Sequence, residues 1–296
     1  MELRHLRYFL AVAREGNVTR AAASLHVTQP TLSRQLADLE QELGRELLLR
    51  ESRGVTLTDD GMWLRKRAEE IVALADRTER EMMADDSQVE GDVWVGGGET
   101  RTMELVARAM KSISQDHPGV RLRLHSGNAD DVIERVDKGL LDFGVILGRT
   151  PESRFDHIQL PSRECWGVLV RNDDPLATKS LVTMEDLSTR RLIVSNQPAD
   201  ANQSMSEIEQ MLGPLQANVV ATYTLLYNAS LLVEESFGIA LCLDGIVATG
   251  AGTPFAFVPT QLQPAIQTHL IWKRFQPQSR AASLFLRELK RICEQG

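Results

Sequence analysis

The chain has 296 residues, and its 33 Lys and Arg against 41 Asp and Glu give a formal net charge of −8 with His neutral. At about 100–200 residues per domain, this length predicts two or three folded units. The 43% hydrophobic and 25% charged content is typical of globular proteins and argues against disorder. The acidic total excludes a uniformly basic coat for nucleic acid but not a local basic patch.

The cysteines and the apolar runs exclude further classes. Cys165, Cys242 and Cys293 have neither the spacing of a disulfide framework nor that of metal ligands. No apolar run reaches the about 18–20 residues that a membrane-spanning helix needs. Arg4 and Arg7 interrupt the start of the chain, which is unlike a secretory signal. We therefore expect a cytoplasmic protein with no metal, no cofactor and no membrane partner.

The first 60 residues predict three short helices followed by a β-hairpin. Apolar residues repeat at helical spacing in each helix, and Gly16 and Gly44 stand where two of the helices would stop. Asn17 and Thr28 are expected to cap the second and third helices. The strand–turn–strand pattern of residues 47–57 predicts a small wing.

The second and third helices, at about residues 18–37, have the layout of a helix-turn-helix. In that geometry the first turn of the later helix faces the major groove, where Gln pairs with adenine, Arg with guanine and Thr methyls with thymine. Residues 16–37 contain no Asp or Glu, and the wing arginines suit contacts to the DNA backbone or minor groove. The predicted contacts to double-stranded DNA are Thr28, Gln29, Pro30, Thr31, Ser33, Arg34, Arg50 and Arg53.

Residues 59–88 predict one long helix, capped by Thr58 and about 40 Å in length. Its apolar residues step by four and three, as in a heptad pattern, which favours pairing with a second helix. A long surface helix packed on its own domain is the alternative. The predicted dimerisation residues are Leu64, Ala68, Ile71, Ala75 and Met82.

From about residue 91 strands alternate with helices, which predicts an α/β unit with a largely parallel sheet. The first strand runs into Gly96, Gly97 and Gly98 and is followed by a helix. Glycines let a ligand approach the backbone, and a helix N-terminus attracts anionic groups. This turn is therefore a candidate small-molecule site.

An enzyme is the main alternative. Gly96 and Gly98 resemble the start of a dinucleotide fingerprint, but Arg101 stands at its third glycine and no ribose-binding acid follows about 20 residues on. The sequence has no P-loop, nucleophile elbow or paired zinc histidines, so no catalytic residue is predicted. A cytoplasmic small-molecule-binding protein without DNA binding is the other alternative.

Five segments carry a resemblance to the LysR-type transcriptional regulators. They are FLAVA at residues 9–13, NVTRAA at 17–22, LHVTQPTLSRQL at 25–36, LEQELG at 39–44 and LTDDG at 57–61. The resemblance covers the first 60 residues almost continuously, and the rest has the family's length and layout. One departure is the pair of Asp residues before the glycine of the last segment.

The resemblance implies a winged helix-turn-helix DNA-binding domain at residues 1–58, a linker and dimerisation helix at 59–88, and an effector-binding domain at 91–296. The last domain would resemble a type II periplasmic binding protein, with lobe I at about 91–161 and 268–296 and lobe II at about 162–267. Two crossovers, near 161–163 and 267–269, would join the lobes. The family implies a homo-oligomer, a dimer or a tetramer, that responds to a small-molecule effector, and RNA polymerase is a candidate partner.

The same resemblance implies an effector site between the lobes. The expected effector-binding residues are Thr100, Thr102, Leu147, Ser195, Asn196 and Tyr223. Ser195 and Asn196 can equally be only a loop and a helix cap, and Tyr223 is expected to begin a helix. We expect Glu99 to face solvent; if it instead pointed into the cleft, it would favour a cationic or amine-bearing ligand.

Overall fold

A computed structural model describes residues 1–51, 54–83, 89–148, 154–161, 164–195, 213–261 and 267–295. The chain divides into two compact units, Met1–Ala84 and Asp85–Gly296. Within the described ranges, no helix combines the length and the hydropathy needed to cross a membrane.

The N-terminal unit is a three-helix core with a hairpin and one long helix. Its elements are α1 Leu3–Glu15, α2 Val18–Ser24, α3 Gln29–Leu43, β1 Leu48–Glu51, β2 Gly54–Leu57 and α4 Asp59–Met83. Phe9 and Leu32 are fully buried where the first three helices meet, and β1 and β2 pair antiparallel beside them. This small core is shared by the helices and the wing, so it fixes the position of α3.

The predicted caps are confirmed. Asn17 and Thr28 accept backbone N–H hydrogen bonds at 3.0 and 3.4 Å at the starts of α2 and α3, and Thr58 does so at 2.9 Å for α4. Gly16 and Gly44 end α1 and α3 with φ of 58° and 64°, the left-handed conformation that glycine adopts without strain.

Two contacts fix the wing to the helices. The Glu40 carboxylate on α3 accepts hydrogen bonds from the backbone N–H groups of Leu47 at 2.7 Å and Leu48 at 3.1 Å. Gly61 on α4 lies so close to the wing that an added Cβ would stand 2.1 Å from the Leu47 carbonyl oxygen. The position of the wing therefore depends on an acid of α3 and on the missing side chain of Gly61.

Within its described residues, the C-terminal unit contains ten strands in two sheets. In chain order its elements are β3 Gly91–Gly97, α5 Met103–Asp116, β4 Val120–Ser126, α6 Ala129–Asp137, β5 Phe143–Leu147, β6 Phe155–Leu160, β7 Trp166–Arg171, α7 Met184–Ser188, β8 Leu192–Ser195, β9 Val219–Tyr223, α8 Leu226–Glu234, β10 Ile239–Leu243, β11 Phe255–Pro259, β12 Thr268–Lys273 and α9 Arg280–Gln295. Short 3₁₀ turns occupy Pro175–Thr178 and Gly213–Asn218.

Each sheet forms one lobe with its own core. The lobe I sheet has the order β4-β3-β5-β12-β6, and the lobe II sheet has the order β11-β7-β10-β8-β9. Phe143 and Phe285 pack in lobe I with ring centroids 5.1 Å apart, and Leu192 and Val168 lie in the lobe II core. The predicted fold class, a winged helix-turn-helix and a long helix followed by a bilobal α/β unit, is confirmed.

The prediction of largely parallel sheets is wrong in one respect. β3 pairs parallel with β4 and β5, and β8 pairs parallel with β9 and β10, but β12 and β7 each pair antiparallel with both neighbours. Parallel neighbours need a crossover within the same sheet. The chain reaches β7 and β12 from the opposite lobe, and each of these strands runs antiparallel to the neighbouring strands of its sheet.

Candidate functional site

The first turn of α3 presents the polar side chains predicted to contact DNA. Thr28, Gln29, Pro30, Thr31 and Arg34 are exposed and Ser33 is half-buried. Leu32, Leu36 and Leu39, on the other side of the helix, are almost fully buried. The helix therefore holds its polar side outward by burying three leucines in the core of the unit.

Local hydrogen bonds order this surface. The hydroxyl oxygens of Thr28 and Thr31 lie 2.8 Å apart, and the Gln29 amide donates to Ser33 Oγ at 3.1 Å. Arg34 has no ion-pair or hydrogen-bond partner within the described part of the chain. A guanidinium without an internal partner is available to a base edge or a phosphate.

The wing arginines are less fully described. Arg50 belongs to β1, but its side chain, like the whole of Arg53, lies outside the described residues. Their predicted DNA contacts stay predictions. Arg20, at the start of α2, donates to the Glu15 backbone oxygen at 2.7 Å, so it is partly engaged within the unit.

The dimerisation stripe predicted on α4 divides into buried and exposed residues. Leu64 and Ala68 are 6% and 0% exposed because they pack in the core of their own unit, so they are not available to a partner helix. This part of the prediction is wrong. Ile71 and Met82 are 42% and 82% exposed, and Ala75 is half-buried.

The heptad pattern missed three exposed apolar residues of α4: Met62, Trp63 and Leu74. Met62 is 56% exposed and lies about 100° from Trp63 around the helix. Trp63 is 67% exposed, with the Arg67 guanidinium 5.8 Å from its ring centroid, and Leu74 is 41% exposed. At 100° per residue, Trp63, Ile71, Leu74 and Met82 share one side of the helix. We call these four residues the α4 stripe.

A cavity of about 300 Å³ lies where lobe I faces lobe II. Its lining residues are Gly97, Gly98, Glu99, Thr100, Met103, Leu124, His125 and Ser126 from lobe I and Gly245 and Ile246 from lobe II. The volume is at the lower end of the range for small-molecule sites. The glycine turn predicted from the sequence forms one wall of this cavity.

Both predicted threonines of that turn are buried and bind a side chain of the same protein. The hydroxyls of Thr100 and Thr102 donate to Oε1 of Glu164, the latter at 2.8 Å. The Thr102 N–H donates to Thr100 Oγ1 at 3.1 Å and to Glu164 Oε1 at 3.2 Å. A carboxylate from the segment between β6 and β7 thus occupies the turn. No pattern in the sequence indicated Glu164.

Glu99 does not face solvent, so that expectation is wrong. Its Oε2 accepts a hydrogen bond of 2.5 Å from the N–H of Leu226, the first residue of α8 in lobe II. Leu225 provides no side-chain cap for α8, so Glu99 supplies one from the opposite lobe. Arg101 lies 3.9 Å from Asp244 and makes a second charged contact between the lobes.

The other predicted effector residues that the structure describes do not line this cavity. Tyr223 ends β9 and does not begin a helix; its hydroxyl donates to the Leu241 carbonyl at 2.9 Å, and burial raises its pKa. Leu147 and Ser195 end β5 and β8 and are half-buried. Asn196 lies outside the described residues. Of the predicted effector residues that the structure describes, Thr100 alone lines the cavity.

His125 brings a titratable group to the cavity wall. Its Nε2 hydrogen-bonds Asp131, which also accepts from Arg135 at 2.8 Å. Burial opposes ionisation of Asp131, but the hydrogen bonds from His125 and Arg135 outweigh it and hold the pKa of that carboxyl below its usual value.

A second histidine lies at a crossover between the lobes. His269 is buried on β12, and its Nδ1 stands 3.0 Å from the Gly148 carbonyl oxygen. Burial lowers the pKa of His269, and the nearby His157 ring, centred 5.3 Å away, lowers it further against the effect of Gly148. Residues 162 and 163 of the other predicted crossover lie outside the described residues.

Comparison with known proteins agrees with this arrangement. The family model described as "Bacterial regulatory helix-turn-helix protein, lysR family" matches residues 3–62, and the model described as "LysR substrate binding domain" matches residues 86–294. The chain is 26% identical over 298 residues to the uncharacterized HTH-type transcriptional regulator YvbU of Bacillus subtilis, covering 99% of both chains. It is 33% identical over 190 residues to the Hca operon transcriptional activator HcaR of Escherichia coli, covering 63% of this chain and 62% of that one.

Solved structures share the fold. Full-length CbnR complexed with its target DNA has a TM-score of 0.75 at 21% identity, covering 98% of this chain and 99% of that chain. A full-length OxyR variant from Pseudomonas aeruginosa has a TM-score of 0.57 at 23% identity, covering 99% of this chain and 95% of that one. Both comparisons span the winged unit, the long helix and both lobes.

A helix-turn-helix unit combined with a bilobal effector-binding unit defines a DNA-binding transcriptional regulator that responds to a ligand. The two matches together cover nearly the whole chain. The chain belongs to the LysR family of transcriptional regulators.

Proposed function

We propose that the first turn of α3 and the wing read an operator, and that a small molecule bound in the cavity between the lobes controls the outcome. One observation supports the DNA-reading part most directly. Arg34 is exposed and has no partner among the described residues, and the opposite side of its helix is buried. Thr28, Gln29, Pro30, Thr31 and Ser33 complete the surface. The wing, with Arg50 and Arg53, would lie beside it.

DNA retardation tests this proposal with a fragment from upstream of the protein's own gene. Specific binding with a dissociation constant of about 10⁻⁸ M or below is expected, and affinity should fall steeply with salt. Arg34→Ala should weaken binding about 5- to 150-fold and relax specificity at one base pair if Arg34 reads a guanine. Arg65→Ala is the matched control, because Arg65 is an exposed arginine paired with Glu69 on α4. Equal affinities for Arg34→Ala and Arg65→Ala would contradict the assigned role of Arg34.

For the ligand, the cavity supports a small molecule near the glycine turn. A thermal-shift screen of metabolites on the full chain would identify it, because a ligand that binds only the folded state raises Tm. Thr100→Val should reduce the shift, whereas Thr178→Val, at an exposed threonine of lobe II, should not. Equal shifts in both variants would place the ligand elsewhere. Thr102, Leu147, Ser195, Asn196 and Tyr223 stay candidates for contacts in another lobe arrangement.

The protein is further proposed to act as a homo-oligomer, a dimer or a tetramer, paired through the α4 stripe. The support is that four apolar side chains on one side of a 25-residue helix are exposed within their own unit. A cytoplasmic location is part of the proposal, because the operator DNA that the protein would bind lies there. RNA polymerase is a proposed partner at the promoter, and no catalytic activity is assigned. Sedimentation of the full chain tests the oligomer, and a monomer at micromolar concentration would refute it.

A further inference from the structure

The turn before α5 is already occupied by a carboxylate of the protein itself. Glu164 Oε1 receives the two threonine hydroxyls and the Thr102 N–H, three polar hydrogens that this turn could otherwise offer to an anion. The threonines are 8% and 5% exposed, so water does not compete for these donors. Glu164 therefore takes the position that an effector carboxylate would need.

Thr100 lines the cavity, and its contact with Glu164 decides whether its hydroxyl can donate to a ligand or only accept from one. A hydroxyl has one hydrogen to donate and two lone pairs to accept with. The Thr100 hydrogen is given to Glu164, and one lone pair receives the Thr102 N–H at 3.1 Å. What remains for a ligand is an acceptor, so a ligand at Thr100 has to supply the hydrogen.

The charged side chains at the cavity agree with an acceptor character. Among the ten lining residues, all in the described part of the chain, Glu99 is an acid and none is Lys or Arg. The Arg101 guanidinium, which follows the turn in the sequence, lies 3.9 Å from Asp244 of lobe II. The Nε2 atom of His125 is engaged by Asp131.

We propose that Glu164 is a tethered ligand of the turn and sets the chemical class of the effector: a hydrogen-bond donor, uncharged or cationic, and not a carboxylate. This inference rests on the proposed effector cavity and deepens it. Like charges disfavour each other strongly in a partly buried site, so an anionic ligand would have to displace Glu164 before binding.

Removing the Glu164 side chain should convert the turn into a site for an external carboxylate. The test measures Tm of the full chain with sodium acetate and with methylammonium chloride, each compared with sodium chloride at equal ionic strength. The quantity of interest is the Tm shift with acetate minus the shift with methylammonium. We expect this difference to rise by about 2–4 °C from wild type to Glu164→Ala at acetate near five times its dissociation constant.

Two variants control the comparison. Glu185→Ala removes an exposed acid of lobe II and should leave the difference at its wild-type value. If Glu164→Ala is recovered unfolded, the titration is made on Glu164→Ser with formate, whose smaller carboxylate fits the smaller space. A difference that is unchanged in the folded Glu164 variant, or equally changed in Glu185→Ala, overturns the proposal.

The outcome is separable from that of the proposed function. DNA retardation on the same preparations reports whether the protein binds an operator, and it does not involve acetate. A wild-type chain that fails to bind DNA refutes the proposed function and leaves the acetate comparison valid. A chain that binds DNA but shows no gain of acetate binding in the Glu164 variant refutes only the assignment of Glu164.

Discussion

Glu40 provides a test of how the wing is held against α3. Its carboxylate accepts two backbone N–H bonds, at 2.7 and 3.1 Å, from Leu47 and Leu48. These residues are 2% and 7% exposed, so water replaces the lost acceptor poorly. Leaving a buried N–H unsatisfied costs about 1–3 kcal/mol, and Ala regains a few tenths through helix propensity. We expect Glu40→Ala to destabilise the wing by about 2–4 kcal/mol.

Because the chain has two compact units, a single unfolding curve would mix their stabilities. Native-state hydrogen exchange of residues 47 and 48 measures the local free energy directly. Glu40→Ala should lower their protection about 30- to 1,000-fold, and Glu40→Gln, which keeps an acceptor oxygen but loses the charge, by less. Glu46→Ala, at an exposed neighbouring acid, is the matched control. Equal protection in Glu40→Ala and Glu46→Ala would refute the reasoning.

Three further outcomes are expected. Ile71→Asp should weaken self-association, measured by sedimentation, because it places a charge within the α4 stripe. Lys66→Asp, at an exposed position on another side of α4, should not. Equal sedimentation profiles for the two variants would show that the stripe is not part of the interface. Gly61→Ala should lower the Tm of the N-terminal unit, because the added Cβ would stand 2.1 Å from the Leu47 carbonyl oxygen. An unchanged Tm would show that the wing moves to make room for the Cβ. Burial lowers the folded-state pKa of His269, so the unfolded chain binds the proton more readily and stability should fall as pH drops below about 6.5. His269→Asn should therefore flatten the dependence of Tm on pH between pH 7 and 5. An unaltered slope would assign the pH dependence to other groups.

The local features of the N-terminal unit were predictable because they are determined by neighbours in sequence. Asn17 and Thr28 each accept a hydrogen bond from the backbone N–H three residues later. Gly16 directly follows α1 and adopts the left-handed conformation that ends a helix. The buried leucines of α3 follow from the helical repeat alone. These signals depend on a few consecutive residues, and the fold preserves them.

The α4 stripe shows where periodicity stops being sufficient. A heptad pattern records which positions are apolar, but an apolar residue can pack on its own unit or on a partner. Ala68 is fully buried within its own unit, whereas Trp63, outside the predicted stripe, is 67% exposed. The side of α4 that meets the helical core becomes known only when the hairpin and α1 are placed. The predicted heptad therefore combined residues near the start of α4, which pack on their own unit, with residues further along the helix that stay exposed.

The acids between the lobes could not be placed from the sequence for a related reason. Glu99 and Glu164 act on groups 127 and 62 residues away, respectively, at the N–H of Leu226 and at Thr102. A turn rich in glycine next to a helix N-terminus predicts an anion site. It cannot reveal that the anion is supplied by the chain itself.

The two contacts also constrain how a ligand could act on the lobes. The bond from Leu226 to Glu99 joins lobe I to α8 of lobe II, so it exists only while the lobes are arranged as in this structure. A ligand shifts such an equilibrium only through a difference in its affinity for the two arrangements. A donor that draws the Glu99 carboxylate away from α8 removes a contact specific to this arrangement and favours another. A donor that binds Thr100 and leaves Glu99 in place adds a contact without that loss, so the direction of the response depends on which of the two acceptors the ligand binds.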